Sequence, residues 1–240
     1  RQTFADLHVE GAAAVARAAR ARGVGRFAHI SALGADANSP AEYGRSKAAG
    51  EAATREAFPE AVILRPSVVF GPDDRFFNRF AAMAAFSPAL PLIGGGATRF
   101  QPVFVADVAA AVSRALEDPV AAGRTYELGG PTVYTFRDLM IILLREIGAS
   151  RLLVPIPFAA ARLLGMAGDL MAKAGLPPPI TTDQVDMLRA DTVGRPGAPG
   201  LADLGVAASA LEPIVPTYLY RYRKGGQYAE MSAAAARRPA

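Results

Sequence analysis

The chain has 240 residues, half of them hydrophobic, a formal net charge of +4 spread along its length, and no cysteine. That length supports one domain, or one with an appendage, and the missing cysteines exclude disulfide frameworks and thiolate metal centres. His8 and His29 are too few for a histidine-rich site, so no metal is expected, and a diffuse basic excess does not mark a nucleic-acid binder.

Residues 5–22 read as a helix, Ala-rich with arginines on one face and Gly23 as its stop. Residues 26–33 are short and apolar, as in a buried parallel strand. A polar turn leads into a second helix at 40–57, and residues 61–64 form another buried strand, stopped by Arg65-Pro66. Helix, strand, helix, strand with short links predicts an α/β crossover sheet. Residues 71–100 read as mixed loop and helix, 101–105 as strand, 106–116 as a helix with Asp107 in its first turn, and 124–128 as strand. A further helix at 135–147 opens on Thr135 with Asp138 three residues on, a capping arrangement. Beyond it the α/β rhythm fades into an Ala/Leu/Met helix at 158–175, a stiff Pro177-Pro178-Pro179 break and a Pro/Gly-rich loop at 191–200. The expected division is a nucleotide-binding portion at 1–150, a smaller helical and loop region at 151–228, and a frayed, disordered tail at 229–240.

No apolar run reaches the ~18 residues of a spanning helix. The start, Arg1-Gln2-Thr3-Phe4, leads into an amphipathic segment without the apolar core of a signal peptide. The expected location is therefore cytoplasmic, peripheral at the inner membrane. The 158–175 helix, with Met166 and Met171, reads as core or subunit interface, and together with the arginines at 221–223 as the alternative surface for a membrane-bound partner.

The most informative stretch runs from His29 to Glu51. Tyr43 and Lys47 stand four apart on a predicted helix and share one face. An ammonium beside a phenol favours phenolate, and tyrosine can then exchange a proton with a substrate carbonyl or alcohol. Surface Tyr/Lys pairs at this spacing also arise by chance. Here the helix follows a strand ending in Ser31 and precedes Arg65-Pro66-Ser67-Val68-Val69-Phe70-Gly71-Pro72, a segment placed where open α/β sheets bind ligands. Arg65 sits where it can face a phosphate or pair with a carboxylate. Asp73-Asp74-Arg75 reads as a solvated loop with a helix cap, Asp107 as a cap, and Gly94-Gly95-Gly96 as an ordinary loop.

The order strand-Ser31, Tyr43-x-x-x-Lys47 helix, strand-Arg65-Pro66-Ser67 resembles the extended and atypical short-chain dehydrogenase/reductases, the NAD-dependent epimerase/dehydratase-like group. Further matches are Gln101 to Ala109 and Tyr126-Glu127-Leu128-Gly129-Gly130-Pro131. Within that group, Tyr43 to Glu51, Ala57 to Ala61, Phe70 to Asn78 and Pro199 to Gly205 are similar to the NADPH-carrying accessory subunits of respiratory complex I and their bacterial relatives. The resemblance implies a Rossmann-like doubly wound parallel sheet that binds NADP(H) or NAD(H), with a small, mostly helical C-terminal region. It implies Tyr43, Lys47 and Ser31 as the catalytic set, and these with Ala32, Pro66, Ser67 and Val68 as the cofactor-binding set. The implied partner is respiratory complex I or another membrane-associated, quinone-related complex, with the cofactor held for structure. The alternative is an active reductase, epimerase or dehydratase using Tyr43 and Lys47.

Two departures qualify that pattern. Family members begin with a strand, a glycine-rich turn and a helix that receives the pyrophosphate. No such turn precedes residue 5, so the chain is expected to lack the first strands of the sheet. The family alignment also places Ser31 one position before the expected catalytic hydroxyl, where Ala32 stands, and His8 where many relatives carry asparagine. Tyr43 and Lys47 without a well-placed serine favour a retained cofactor over fast catalysis.

Overall fold

A computed structural model describes residues 3–226; the tail expected at 229–240 lies outside them. The first helix opens as a π-helical turn, Ala5–Gly11, and continues as α1 (Ala12–Ala21). Gly23 ends it with a positive φ of 69°, the left-handed conformation that glycine takes at least cost. Strand β1 (Ala28–Ile30), helix α2 (Glu42–Ala57) and strand β2 (Val62–Pro66) then form a parallel crossover unit.

The expected stop at Arg65-Pro66 does not occur. β2 runs through both residues, Arg65 opposite Glu127 and Pro66 opposite Leu128, and the Pro66 carbonyl accepts from Leu33 N at 3.0 Å. After β3 (Val69–Phe70) come α3 (Phe77–Phe86), β4 (Ala89–Ile93), β5 (Arg99–Phe100) and β6 (Val103–Phe104). Helix α4 (Val105–Glu117) leads to β7 (Thr125–Leu128), which closes a parallel sheet of order β1-β2-β7. Short β8 (Tyr134–Thr135) precedes α5 (Phe136–Glu146), whose capping box joins Thr135 to Asp138 as expected.

Alternation along β2 builds two layers, because successive side chains point to opposite faces. Val62 and Leu64 pack with Val108, Ala111 and Ala115 of α4, while Arg65 reaches Glu51 of α2 on the other face. Helices thus cover both faces of the sheet, which is the expected doubly wound arrangement.

The second core lies beside this sheet, around Phe70, Phe77, Leu90, Phe136 and Leu143. Strand β9 (Leu152–Ile156) pairs with β4 in parallel, and α6 (Phe158–Lys173) packs on α7 (Thr182–Met187). That packing is close: a Cβ at Gly168 would lie on the Ile180 carbonyl oxygen and one at Gly165 would be 2.8 Å from Thr182 N. The chain closes on α8 (Pro216–Leu219), packed into the same core. Among the described residues no helix is long and apolar enough to cross a membrane.

Candidate functional site

Helix α2 is set in place at three points. Its N-cap residue, Ala41, has no side chain to cap the free amides. Asp183 of α7 does so instead, its Oδ1 accepting from Glu42 N at 2.5 Å and Tyr43 N at 3.4 Å. Gly44 lets the polar turn close over the helix, since a Cβ there would meet the Gly34 carbonyl oxygen at 2.7 Å. Gly50 lets the π-helical turn approach, since its Cβ would fall 2.1 Å from the His8 carbonyl oxygen. Nothing at the sequence level announces the Asp183 cap, because it is 140 residues from the helix it serves.

Tyr43 and Lys47 share one face, as their spacing requires. The Lys47 ammonium stands over the Tyr43 ring at 5.8 Å from its centroid and donates to the Ile30 carbonyl at 3.4 Å. His8 meets the Tyr43 ring edge-on at 5.5 Å, and Phe4 stacks on His8 at 5.2 Å. Ser46 Oγ donates to the Tyr43 carbonyl at 2.9 Å and lies 2.9 Å from His8 Nδ1. The hydroxyl has one proton, so with it given to Tyr43 the His8 Nδ1 is the donor. Phe4 and Ser46 were not legible as site residues; their roles depend on how the first helix crosses α2.

The electrostatics differ from the sequence expectation. Burial pushes the Tyr43 phenol above its ordinary value rather than letting Lys47 lower it. Burial also lowers Lys47, with Glu51 one turn away opposing that shift. Both groups are thereby held toward their neutral forms, the direction desolvation always favours.

Ser31, Ala32, Pro66, Ser67 and Val68 line the same cleft as Tyr43 and Lys47, a space of about 910 Å³ at the carboxyl ends of β1 and β2. The Ser31 hydroxyl is buried without a hydrogen-bond partner. The Ser67 hydroxyl donates to Thr192 O at 2.8 Å and accepts from Gln101 N at 3.2 Å, so it ties down the 191–200 loop. Pairing, not phosphate, accounts for Arg65: it forms a two-pronged bond to Glu51 at 2.8 and 2.6 Å, which raises its pKa. Glu127 lies 3.9 Å from the same guanidinium and also accepts from Arg195.

The remaining candidates are structural. Asp74 accepts from Asn78 N at 3.2 Å, in the first turn of α3, and from the Tyr218 hydroxyl at 2.7 Å. Asp107 does not cap its helix as expected; its carboxylate accepts from Ser209 N at 2.7 Å and Ser209 Oγ at 2.9 Å, fastening the C-terminal segment. Gly94, Gly95 and Gly96 form a tight turn with positive φ throughout, Gly94 against Phe158 and Gly96 against Arg137. No cluster of metal-ligating side chains occurs among the described residues.

A parallel sheet with a Tyr-x-x-x-Lys helix beside a cleft is the arrangement of a nicotinamide-dinucleotide fold, and the sequence profile of the NAD dependent epimerase/dehydratase family matches residues 1–129. The chain belongs to that family. It is 40% identical over 210 residues to NADH dehydrogenase [ubiquinone] 1 alpha subcomplex subunit 9, mitochondrial, of Arabidopsis thaliana, covering 85% of this chain and 52% of that protein. The subunit of the same name from Mus musculus is 37% identical over 221 residues, covering 92% of this chain and 58% of its own length. The chain thus spans slightly more than half the length of these relatives. Among solved structures, the UDP-glucose 4-epimerase of Thermotoga maritima superposes with a TM-score of 0.65 at 18% identity, covering 90% of this chain and 69% of that one. At that identity the likeness is one of fold.

Proposed function

We propose that this chain supplies the nicotinamide-facing part of a dinucleotide-holding accessory protein, associated with respiratory complex I, in which NADP(H) or NAD(H) is retained mainly for structure. The observation that carries the reading is the state of the cleft. Tyr43 and Lys47 face it together, while the wall at Ala32 offers a methyl group and the nearby Ser31 hydroxyl is buried. The identity with complex I subunits over nearly the whole chain points the same way.

The residues present fit a nicotinamide nucleotide. Lys47 Nζ carries donors beyond the one bond to Ile30, the buried Ser31 oxygen lacks a partner, and Pro66, Ser67 and Val68 form an adjacent rim. When bound, the cofactor supplies hydride chemistry. Tyr43 would hold or deliver a proton, and Lys47 would orient the ribose. Without a hydroxyl at Ala32 to align a substrate carbonyl, proton transfer lacks its positioning partner, and retention is favoured over turnover.

In this reading residues 1–150 form the nucleotide-binding portion and 151–228 the portion turned to a partner, in the cytoplasm and peripheral to the inner membrane. The two are fastened by the β4–β9 pairing and by Glu127–Arg195. The test uses the intact protein. Stoichiometric nicotinamide nucleotide that survives purification, and is not consumed with carbonyl substrates, is expected. Steady turnover lost in Tyr43→Phe would instead establish the active reductase, epimerase or dehydratase that the Tyr43/Lys47 pair alone suggests.

A further inference from the structure

Beyond Tyr43 and Lys47 the cleft continues between the sheet domain and helices α6 and α7, and there its character changes. The walls are Phe80 and Met83 of α3, Phe136 of α5, Leu164 and Met171 of α6, and Ile180. Phe76, Phe80 and Phe136 pack edge-to-face at 5.3 to 6.0 Å, which makes one wall a fixed aromatic surface.

Charge in this space is scarce and already committed. Among the described residues lining it, the cations are Lys47 and Arg79, and Arg79 donates to the Pro179 carbonyl. The carboxylates are Asp186, bonded to Arg189 at 3.1 Å, and Asp191, which accepts from Arg99 N at 2.8 Å and pairs with its guanidinium at 2.8 Å. A diphosphate placed here would meet one engaged arginine and two carboxylates. An uncharged hydrocarbon would meet none of these costs and would remove rings and aliphatic side chains from water.

We propose that this cavity takes a lipid: a long apolar chain ending in one uncharged ketone or hydroxyl group, with that oxygen at the Tyr43 end. The polar end matches the phenol and ammonium there, and the cavity, about 910 Å³ including the nicotinamide end, continues past them to the apolar walls. Helix α6 also presents Leu163 and Leu170 to solvent, 69% and 70% exposed, on the outside of the wall formed by Leu164 and Met171. The assignment rests on the reading above that the Tyr43 end is the nicotinamide end.

The test is titration of the intact protein with straight-chain methyl ketones of increasing length and, separately, with UDP-glucose. Bound nicotinamide nucleotide is measured on the same preparation. Affinity should rise roughly fourfold per added methylene until the chain fills the cavity, and UDP-glucose should not compete. Leu164→Asp places a charge on a half-exposed wall position where folding tolerates it, and should weaken the longest bound ketone by tenfold or more. A second variant, Ala167→Trp, should shorten the chain length at which affinity levels off. Affinity independent of chain length, competition by UDP-glucose, or ketone binding unchanged in both variants would overturn the proposal. Chain-length dependence in protein lacking bound nucleotide would support the lipid site and overturn the cofactor reading. Bound nucleotide without that dependence would do the reverse.

Discussion

Tyr43 and Lys47, in the first half of α2, and Glu51 and Arg55, in its second, follow one another at the same helical interval yet meet opposite surroundings. Glu51 takes both prongs of Arg65, and Arg55 donates to Gly123 O and to Thr125 Oγ1, each at 2.7 Å. Lys47 has a 3.4 Å bond to Ile30 and a ring beneath it, and burial raises the pKa of Tyr43. The second half is saturated and fixes the helix to β2 and β7. The first half is left with donors to spare, facing a cleft. A helix anchored at one end can hold under-satisfied groups at the other, which is how the proposed binding site can be kept without loss of the fold.

The comparison breaks most sharply at Arg65. Arg65→Ala leaves Glu51 and Glu127 buried with less compensation, and removing one partner of such a pair costs about 3–5 kcal/mol. Urea denaturation should show that loss, and a loss under about 1 kcal/mol would mean the pair is not the anchor. The paired replacement E51L/R65M should cost less than Arg65→Ala alone, because Glu51 no longer leaves an orphaned charge and Glu127 keeps its bonds to Arg195.

Next in size is Gly50→Ala, at the junction of the two halves. Its Cβ would lie 2.1 Å from the His8 carbonyl oxygen, a backbone atom that moves only with the π-helical turn. Overpacking of this kind costs about 1–3 kcal/mol. Thermal denaturation should show the loss. Near-ultraviolet circular dichroism should report a changed Tyr43 environment, because His8 and Phe4 would shift with the turn.

Much of this frame was legible from residue order. The α2, α4 and α5 helices, strands β1, β2 and β7, and the Thr135/Asp138 cap follow from periodicity and capping chemistry. Strands β4 and β9 were not, because Pro91 and Pro155 argue against strands. They survive as a two-stranded pair, which has fewer amides to satisfy than a central strand. At the site, the Tyr43/Lys47 spacing was readable because it is local. The partners of Arg65, Ser67 and Asp107 were not, since Glu51, Thr192 and Ser209 reach them only through the tertiary fold.

Asp183→Asn tests the outer end of α2 and sharpens the same contrast. The carboxylate both accepts from the free amides and opposes the helix dipole, and an amide keeps only the first contribution. The expected loss is about 1 kcal/mol or less by urea denaturation. A loss as large as that of Arg65→Ala would place the anchor at the cleft end instead.

The smallest effect is a pH dependence at His29. Its imidazole is held below its ordinary pKa, first by burial and then by Lys47, with Glu51 opposing and His8 adding a little. His8 is shifted the same way, by burial and Lys47. The unfolded chain therefore takes up protons at a higher pH than the folded one, near 6.5. Stability from these groups is present above that pH and declines as pH falls toward their lowered folded values. Thermal midpoints recorded from pH 7.5 to 5.5 should fall, and His29→Gln should flatten the fall without altering the upper limit. An unchanged slope in H29Q would assign the dependence to His8, in the π-helical turn that packs against the cleft-facing half of α2. A steeper slope would mean that His29 is protonated in the fold, with Glu51 rather than burial setting its charge.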